Sequence, residues 1–287
     1  MKNNKELRLG IIGHGFVGKA TDWGFHRNIK KFIVDPIYGS TISDLAKFKP
    51  DVIFICVPTP MGDEGEQDYS IIYSVVQQLV DECIDSIKVV KSTVLPSILQ
   101  RLHTLDKKII YNPEFLREKH ANLDFENSEM IILGGDRNIS EQVAGFYAHH
   151  SRCKTKEYFY TDLFCASLAK YTINTFLASK VLFFNEIKAL FENSNTNEDW
   201  ETFINIVSKD SRIGNSHMTV PGHDGKYGFG GACFPKDSSA LIKFSEEKEV
   251  NLDVLKSVIK KNNQIRSQYS ELDDREKEQN ISFDDKI

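Results

Sequence analysis

The run Gly228-Phe229-Gly230-Gly231-Ala232-Cys233-Phe234-Pro235-Lys236-Asp237 sets one cysteine directly behind flexible glycines, with a cation and a carboxylate three and four residues on. Glycines let the backbone approach a ligand closely. A nearby lysine favours the thiolate, the form in which sulfur attacks carbon. Cys56, Cys83, Cys153 and Cys165 have no such surroundings, and no CxxC or Cys/His spacing points to a metal. They read as small core residues, and an odd total of five without a framework reads as reduced thiols in a cytoplasmic protein.

A second constellation opens the chain. Gly13-His14-Gly15-Phe16-Val17-Gly18 follows the apolar run Leu7–Ile12 and precedes a helical stretch. In that setting Gly13 permits the tight turn, Gly15 lets the backbone reach a pyrophosphate, and Gly18 allows close helix–strand packing. The helix N-terminus, at Phe16 and Val17, offers N–H groups and a positive dipole end to the phosphates. Asp35 ends the next strand, about twenty residues on, where a carboxylate accepts hydrogen bonds from an adenosine ribose and repels a 2′-phosphate. NAD is therefore favoured over NADP. His14 is expected to face solvent without a task. A dinucleotide site and a poised cysteine together point to a redox enzyme that passes through a thioester.

The elements that position these residues follow from hydrophobic patterning. Apolar strands at residues 7–12, 31–34, 51–57, 88–91, 108–111 and 129–133 alternate with helical stretches at 70–83, 96–105 and 140–149. The expectation is an α/β fold: a Rossmann-like, doubly wound parallel sheet over residues 1–155. Residues 156–269 form a helical central domain built on one long helix (162–193) without Gly or Pro, followed by shorter helices at 198–208, 238–247 and 252–269. Residues 270–287 are charged and are expected to be a disordered tail. With 287 residues, 40% of them hydrophobic, the chain can build two cores. No apolar run reaches membrane-spanning length, the polar residues 1–8 are not expected to act as a signal peptide, and a net charge of −5 without a basic stripe argues against nucleic acid.

Two further pairs stand four residues apart. Lys170 and Asn174 share a face of the long helix, among Leu168, Ala169, Ile173, Phe176 and Leu177. A lysine there is paired and functional, or it snorkels to the surface. Glu114 and Glu118, in Asn112-Pro113-Glu114-Phe115-Leu116-Arg117-Glu118, form an acid pair that, taken alone, reads as a solvated face before a functional one.

Taken in order, Gly13 to Gly18, Val57-Pro58-Thr59-Pro60, Lys91-Ser92-Thr93, Asn112 to Glu118, Lys170 to Asn174, Phe184-Asn185-Glu186, Arg212-Ile213-Gly214-Asn215 and Gly228 to Asp237 resemble the UDP-glucose/GDP-mannose dehydrogenase family. The resemblance reaches to about Asn263. It implies oxidation of a nucleotide-sugar C6 alcohol to a carboxylate with two NAD, UDP-glucose being the default substrate. Cys233 matches the nucleophile that captures the intermediate as a thiohemiacetal. Lys170 and Asp237 match residues that position water and stabilise an oxyanion, and Asn174 a partner in that network. Glu114 matches the acid assigned to thioester hydrolysis, and Thr93 and Glu118 match residues near the nicotinamide. Val57, Pro58, Thr59 and Lys236 fall on the cofactor side. Glu114, Phe115, Leu116, Glu118, Lys170 and Asn174 are expected to line the substrate site. Tyr227, Gly228, Phe229 and Gly230 match a loop that wraps its diphosphate and sugar.

Arg212 resembles the arginine that reaches the substrate of a neighbouring subunit, which implies a homodimer through the central helix. Family members normally carry a second, C-terminal Rossmann-like domain over the nucleotide base. Residues 252–259 resemble the helix leading into it, and the polar residues from 270 are not expected to replace it. Three readings stay open: a compact dehydrogenase active by itself, half of a split enzyme completed by a separate C-terminal domain chain, and a catalytically silent NAD-binding module.

Overall fold

The computed structural model describes residues 6–284, the side chain of Glu118 excepted. The chain divides into two compact units. One takes the residues up to Thr59 together with Asp68–Lys170, and the other takes Pro60–Gln67 together with the residues from Tyr171 on.

The first unit is built on seven strands, β1 (Leu7–Ile12), β2 (Ile29–Val34), β3 (Val52–Ile55), β4 (Ile87–Val90), β5 (Ile109–Tyr111), β6 (Ile131–Gly134) and β7 (Tyr158–Thr161), in the spatial order β2-β1-β3-β4-β5-β6-β7. Strands β1 to β5 run parallel, whereas β6 meets β5 antiparallel and β7 follows β6 in parallel. The sheet is thus mostly parallel, with one reversal that the alternating pattern does not announce. It also runs on through β7, past the expected boundary at residue 155. Among the described residues this unit holds the helices α1 (Phe16–Gly24), α2 (Ile42–Phe48), α3 (Ser70–Asp81), α4 (Pro96–Leu105), α5 (Ala121–Glu126) and α6 (Arg137–His150).

Strands β3 and β4 are buried along their whole length, as parallel strands covered on both faces must be. Lys88 in β4 is tolerated there because its ammonium meets the Asp106 carboxylate at 2.5 Å. In the core Phe25 meets Phe54 at a tilt and Tyr147 edge-on, each with ring centroids 4.9 Å apart.

Helix α7 (Leu163–Glu192) carries the chain from the first unit into the second, which also holds α8 (Trp200–Val207), α9 (Phe234–Glu247), α10 (Asp253–Arg266) and α11 (Asp274–Glu278). The expectation of disorder from residue 270 fails for residues 270–284. Asp273 and Glu276 close a reciprocal capping box at the start of α11. Ile281 and Phe283 are buried with Met61, and Leu272 packs against them. Glu276 is wholly buried beside Arg266. A few apolar residues and one internal ion pair anchor a segment whose composition reads as solvated.

Candidate active site

The expected site residues fall into two groups, one in each unit. In the first, the Gly13–Gly18 turn links β1 to α1. Gly13 has φ +86°, and its N–H bonds the carbonyl of Val34 at 2.9 Å. A Cβ on Gly18 would lie 2.0 Å from the Gly13 carbonyl oxygen, so helix and turn touch without room for a side chain. A Cβ on Gly15 would enter open space. That space is the cradle a pyrophosphate needs, and no side chain caps α1, whose first N–H groups border it. Phe16 and Val17 are half-buried in the first turn of α1.

Asp35 is buried at the end of β2. Its carboxylate accepts from the N–H of His14 at 2.6 Å and from the N–H of Ile37 at 3.0 Å. These bonds fix the carboxylate at the turn, and the residues present fit a dinucleotide. His14 is neither exposed nor idle, and this corrects the expectation. Its side chain is 10% exposed, with Nδ1 2.8 Å from the Tyr38 hydroxyl and Nε2 3.3 Å from the Asp22 carboxylate, which also binds Lys31. The fingerprint spacing carries no signal for this link, because Tyr38 and Asp22 arrive through the fold.

The loops after β3 and β4 are laced together. Thr59 donates its hydroxyl to the carbonyl of Thr93 at 2.9 Å, and Ser92 donates to the carbonyl of Val57 at 2.6 Å. Thr93 and Val57 are buried, whereas Pro58 is exposed. Beside them Lys91 is buried against Asn112 Oδ1 (3.0 Å) and the Tyr147 hydroxyl (3.3 Å). Burial lowers the Lys91 pKa and pushes the Cys56 thiol up to about 12. Cys56 is therefore an inert core thiol.

Lys170 does not snorkel. It is 2% exposed, and its ammonium donates to the main-chain carbonyl of Glu114 and lies 3.4 Å from the Glu114 carboxylate. It also sits 4.9 Å from the centre of the Phe115 ring. Glu114 is buried in a loop after β5, not on a helical face, and its second oxygen accepts the N–H of Leu116 at 2.6 Å. The solvated-face reading of the acid pair therefore fails for Glu114. The side chain of Glu118 lies outside the described residues.

In the second unit Cys233 is the residue that opens α9, half-buried and not disulfide-bonded. One turn later, buried Asp237 accepts from Asn174 Nδ2 at 2.7 Å and from the Lys236 ammonium at 2.5 Å. Asn174 stands on α7 one turn beyond Lys170. The loop before Cys233 is fastened along its main chain. Tyr227 N–H donates to the Tyr269 hydroxyl (2.9 Å), Gly228 N–H to Asn185 Oδ1 (2.9 Å), and Phe229 N–H to Asn262 Oδ1 (2.7 Å). Gly231 N–H donates to Glu276 at 2.9 Å. Gly228 and Phe229 are buried, Gly230 is half-buried and Tyr227 is exposed. Arg212 stands at the surface, 88% exposed, with Asp210 at 2.6 Å. Of the anchors, sequence reasoning noted Asn185 within a matched motif. It missed Asn262, Tyr269 and Glu276, whose partners are set by tertiary structure.

A family model for the NAD binding domain of the UDP-glucose/GDP-mannose dehydrogenase family matches residues 33–150, and one for the central domain of the same family matches residues 165–264. The chain belongs to this family. Its fold and the NAD binding domain are those of a family built on NAD chemistry, and NAD is the cofactor that the first unit accommodates. The UDP-glucose 6-dehydrogenase of Rickettsia conorii is 34% identical over 282 residues, a stretch covering 89% of this chain and 63% of that protein. The UDP-glucose 6-dehydrogenase YwqF of Bacillus subtilis is 32% identical over 223 residues, covering 74% and 48%. The solved structure of a UDP-glucose dehydrogenase from Pyrobaculum islandicum matches with a TM-score of 0.76 at 25% identity, over 92% of this chain and 69% of that one. The chain thus spans 63% and 48% of the lengths of the two curated relatives. The family's central-domain match ends at residue 264, ahead of Arg266, Tyr269 and Glu276.

Proposed function

We propose that the chain carries out the NAD-dependent oxidation of a nucleotide-sugar C6 alcohol to the carboxylate, with UDP-glucose as the first substrate to test. The observation that carries the reading is the buried Asn174–Asp237–Lys236 chain set one helical turn behind Cys233. A packing role does not call for a buried carboxylate and ammonium beside a cysteine at the start of a helix.

The reaction takes four electrons from one carbon. NAD, when bound, accepts the hydride of each oxidation. Loss of the first hydride and of the hydroxyl proton leaves an aldehyde. Cys233 Sγ then bonds to C6, and the carbonyl oxygen gains a proton. Loss of the second hydride and of that proton gives a thioester. Water adds to C6, the C–S bond breaks, and sulfur recovers a proton as the acid leaves. Lys170 supplies a fixed positive charge for the oxyanions, held in place by Glu114. Glu114 is the carboxylate that takes the proton of the attacking water, and Asp237 with Asn174 orders that water. Asp35 would hold the adenosine ribose, and Thr93 would border the nicotinamide. Phe115, Leu116 and Tyr227 to Gly230 bound the sugar and diphosphate.

The second unit also presents Phe176, Phe183 and Leu190 of α7 to solvent, at 67, 58 and 66% exposure. Spaced by seven, they form one apolar stripe. This supports a homodimer through the long helix, with the exposed Arg212 reaching the partner's substrate. Five cysteines without a disulfide among them fit a cytoplasmic protein.

The test is NADH formation by the purified chain with UDP-glucose, counted per sugar consumed. Two NADH per sugar are expected, and Cys233→Ser is expected to abolish acid formation while NAD still binds. Full activity in Cys233→Ser overturns the thioester route. If UDP-glucose fails, GDP-mannose and UDP-N-acetylhexosamines are tried next. Activity that appears only with an added C-terminal domain chain would establish a split enzyme, and NAD binding without any turnover a silent module.

A further inference from the structure

The loop from Tyr227 to Gly231 has no ladder of its own, so its backbone groups must find partners elsewhere. Several of those partners lie beyond residue 260. Asn262 both accepts from Phe229 N–H at 2.7 Å and donates to the Phe229 carbonyl at 2.9 Å. Tyr269 takes Tyr227 N–H, and Glu276 takes Gly231 N–H. The Glu276 carboxylate does more than this. The oxygen that binds Gly231 also accepts from the Arg266 guanidinium at 2.8 Å, and its other oxygen closes the α11 capping box on Asp273 N–H at 2.9 Å. The other arm of Arg266 binds Asp224, ahead of the loop, at 2.6 Å.

Contact here is close enough to dictate sequence. A Cβ on Gly230 would fall 2.2 Å from the Arg266 guanidinium and 2.4 Å from the Glu276 carboxylate. The Glu276 side chain is 0% exposed and that of Arg266 1%. A buried ion pair contributes little net stability by itself. This one is wired to the main chain two residues ahead of Cys233.

We propose that Glu276 and Tyr269 are positioning residues, which clamp the two ends of the glycine loop and so set where Cys233 stands at the head of α9. The inference rests on the reading of Cys233 as the nucleophile. It goes beyond that reading because both residues lie outside the stretch shared with the family model. Neither touches a reacting atom. Their effect passes through the loop backbone.

Hydrogen–deuterium exchange on the full chain tests it, with Glu276→Ala and Tyr269→Phe as variants. Loss of one such bond is expected to speed exchange of the loop amides, 227–231, by about tenfold, while the amides of β1, β3 and β4 keep wild-type rates. The rate at which iodoacetamide alkylates Cys233, referred to exposed Cys165 in the same sample, is expected to change with it. KM for the nucleotide sugar should rise more than kcat falls. A general loss of stability would not produce that split. Should Glu276→Ala unfold the second unit, Tyr269→Phe decides, since it removes a single hydroxyl. Loop exchange and Cys233 alkylation at wild-type values in Tyr269→Phe, and in Glu276→Ala where it folds, overturn the proposal. A wild-type chain that turns over no nucleotide sugar would sink the functional reading instead, and the exchange rates would still decide the clamp.

Discussion

Two glycine-rich loops of this chain, the Gly13–Gly18 turn and the run from Tyr227 to Gly231, are held by different means. The Gly13–Gly18 turn is fixed mainly by backbone, through Gly13 N–H on the Val34 carbonyl, with the Asp35 carboxylate on His14 N–H as a side-chain tie. A strand leads in, a helix leads out, and Gly18 presses against the Gly13 carbonyl. The loop from Tyr227 to Gly231 is fixed by side chains on other elements: Asn185 on α7, Asn262 on α10, Tyr269 after it and Glu276 on α11. The first kind of loop is vulnerable at its glycines. The second is vulnerable at residues far from it in sequence. Backbone-held loops can be read from spacing alone, while side-chain-held loops need the fold.

The largest effect should come from breaking the first loop. In Gly18→Ala the new methyl would lie 2.0 Å from a main-chain oxygen, so α1 must move off the turn. Overpacking of this kind costs about 3 kcal/mol, and calorimetric NAD affinity should fall by roughly a hundredfold with it. Gly15→Ala is the sharper control, because its methyl enters open space. The folded chain should keep its melting temperature and still bind NAD poorly. Wild-type NAD affinity in Gly18→Ala would show that the turn does not hold the site.

The same contrast explains what could be read in advance. The glycine turn, Asp35 and the strand-helix alternation were legible because each follows from local spacing. The burial of Lys170 and Glu114 was not, since each acquires its partner only when α7 meets the loop after β5. His14 looked idle because Tyr38 and Asp22 reach it through a 3-10 turn and through α1. The tail misled most. Its Asp273–Glu276 capping spacing was present in the sequence, but the burial of Glu276 needs Arg266 and Gly231 opposite it.

For the second loop, Asn262→Ala should give the next largest effect. It strips the buried Phe229 N–H and carbonyl of their partner at one stroke. The two stranded groups together cost about 2 kcal/mol, at the lower end of the range for such groups. Urea unfolding of the second unit should shift to lower midpoint while NAD affinity stays at the wild-type value. A fall in NAD affinity equal to that of Gly18→Ala would erase the distinction between the loops.

The smallest effect tests the outermost tie of the clamp. Burial by itself would raise the Asp224 pKa, but the hydrogen bond from Arg266 and the Lys226 N–H outweigh it and hold the carboxyl below its ordinary 3.8. A carboxyl depressed on folding adds stability that is fully present above the unfolded value and is lost as pH falls through the folded one. Because the Asp224 side chain remains 32% exposed, screening keeps the contribution near 1 kcal/mol. Asp224→Asn should therefore lower unfolding stability by a constant amount between pH 5 and pH 8, roughly 1 kcal/mol by the same reasoning. Below about pH 4 the wild-type chain should lose its advantage, so the two unfolding curves converge in acid. Curves that stay parallel down to acid pH would mean that Arg266 is held by Glu276 alone, and that the clamp does not extend to the residues ahead of the loop.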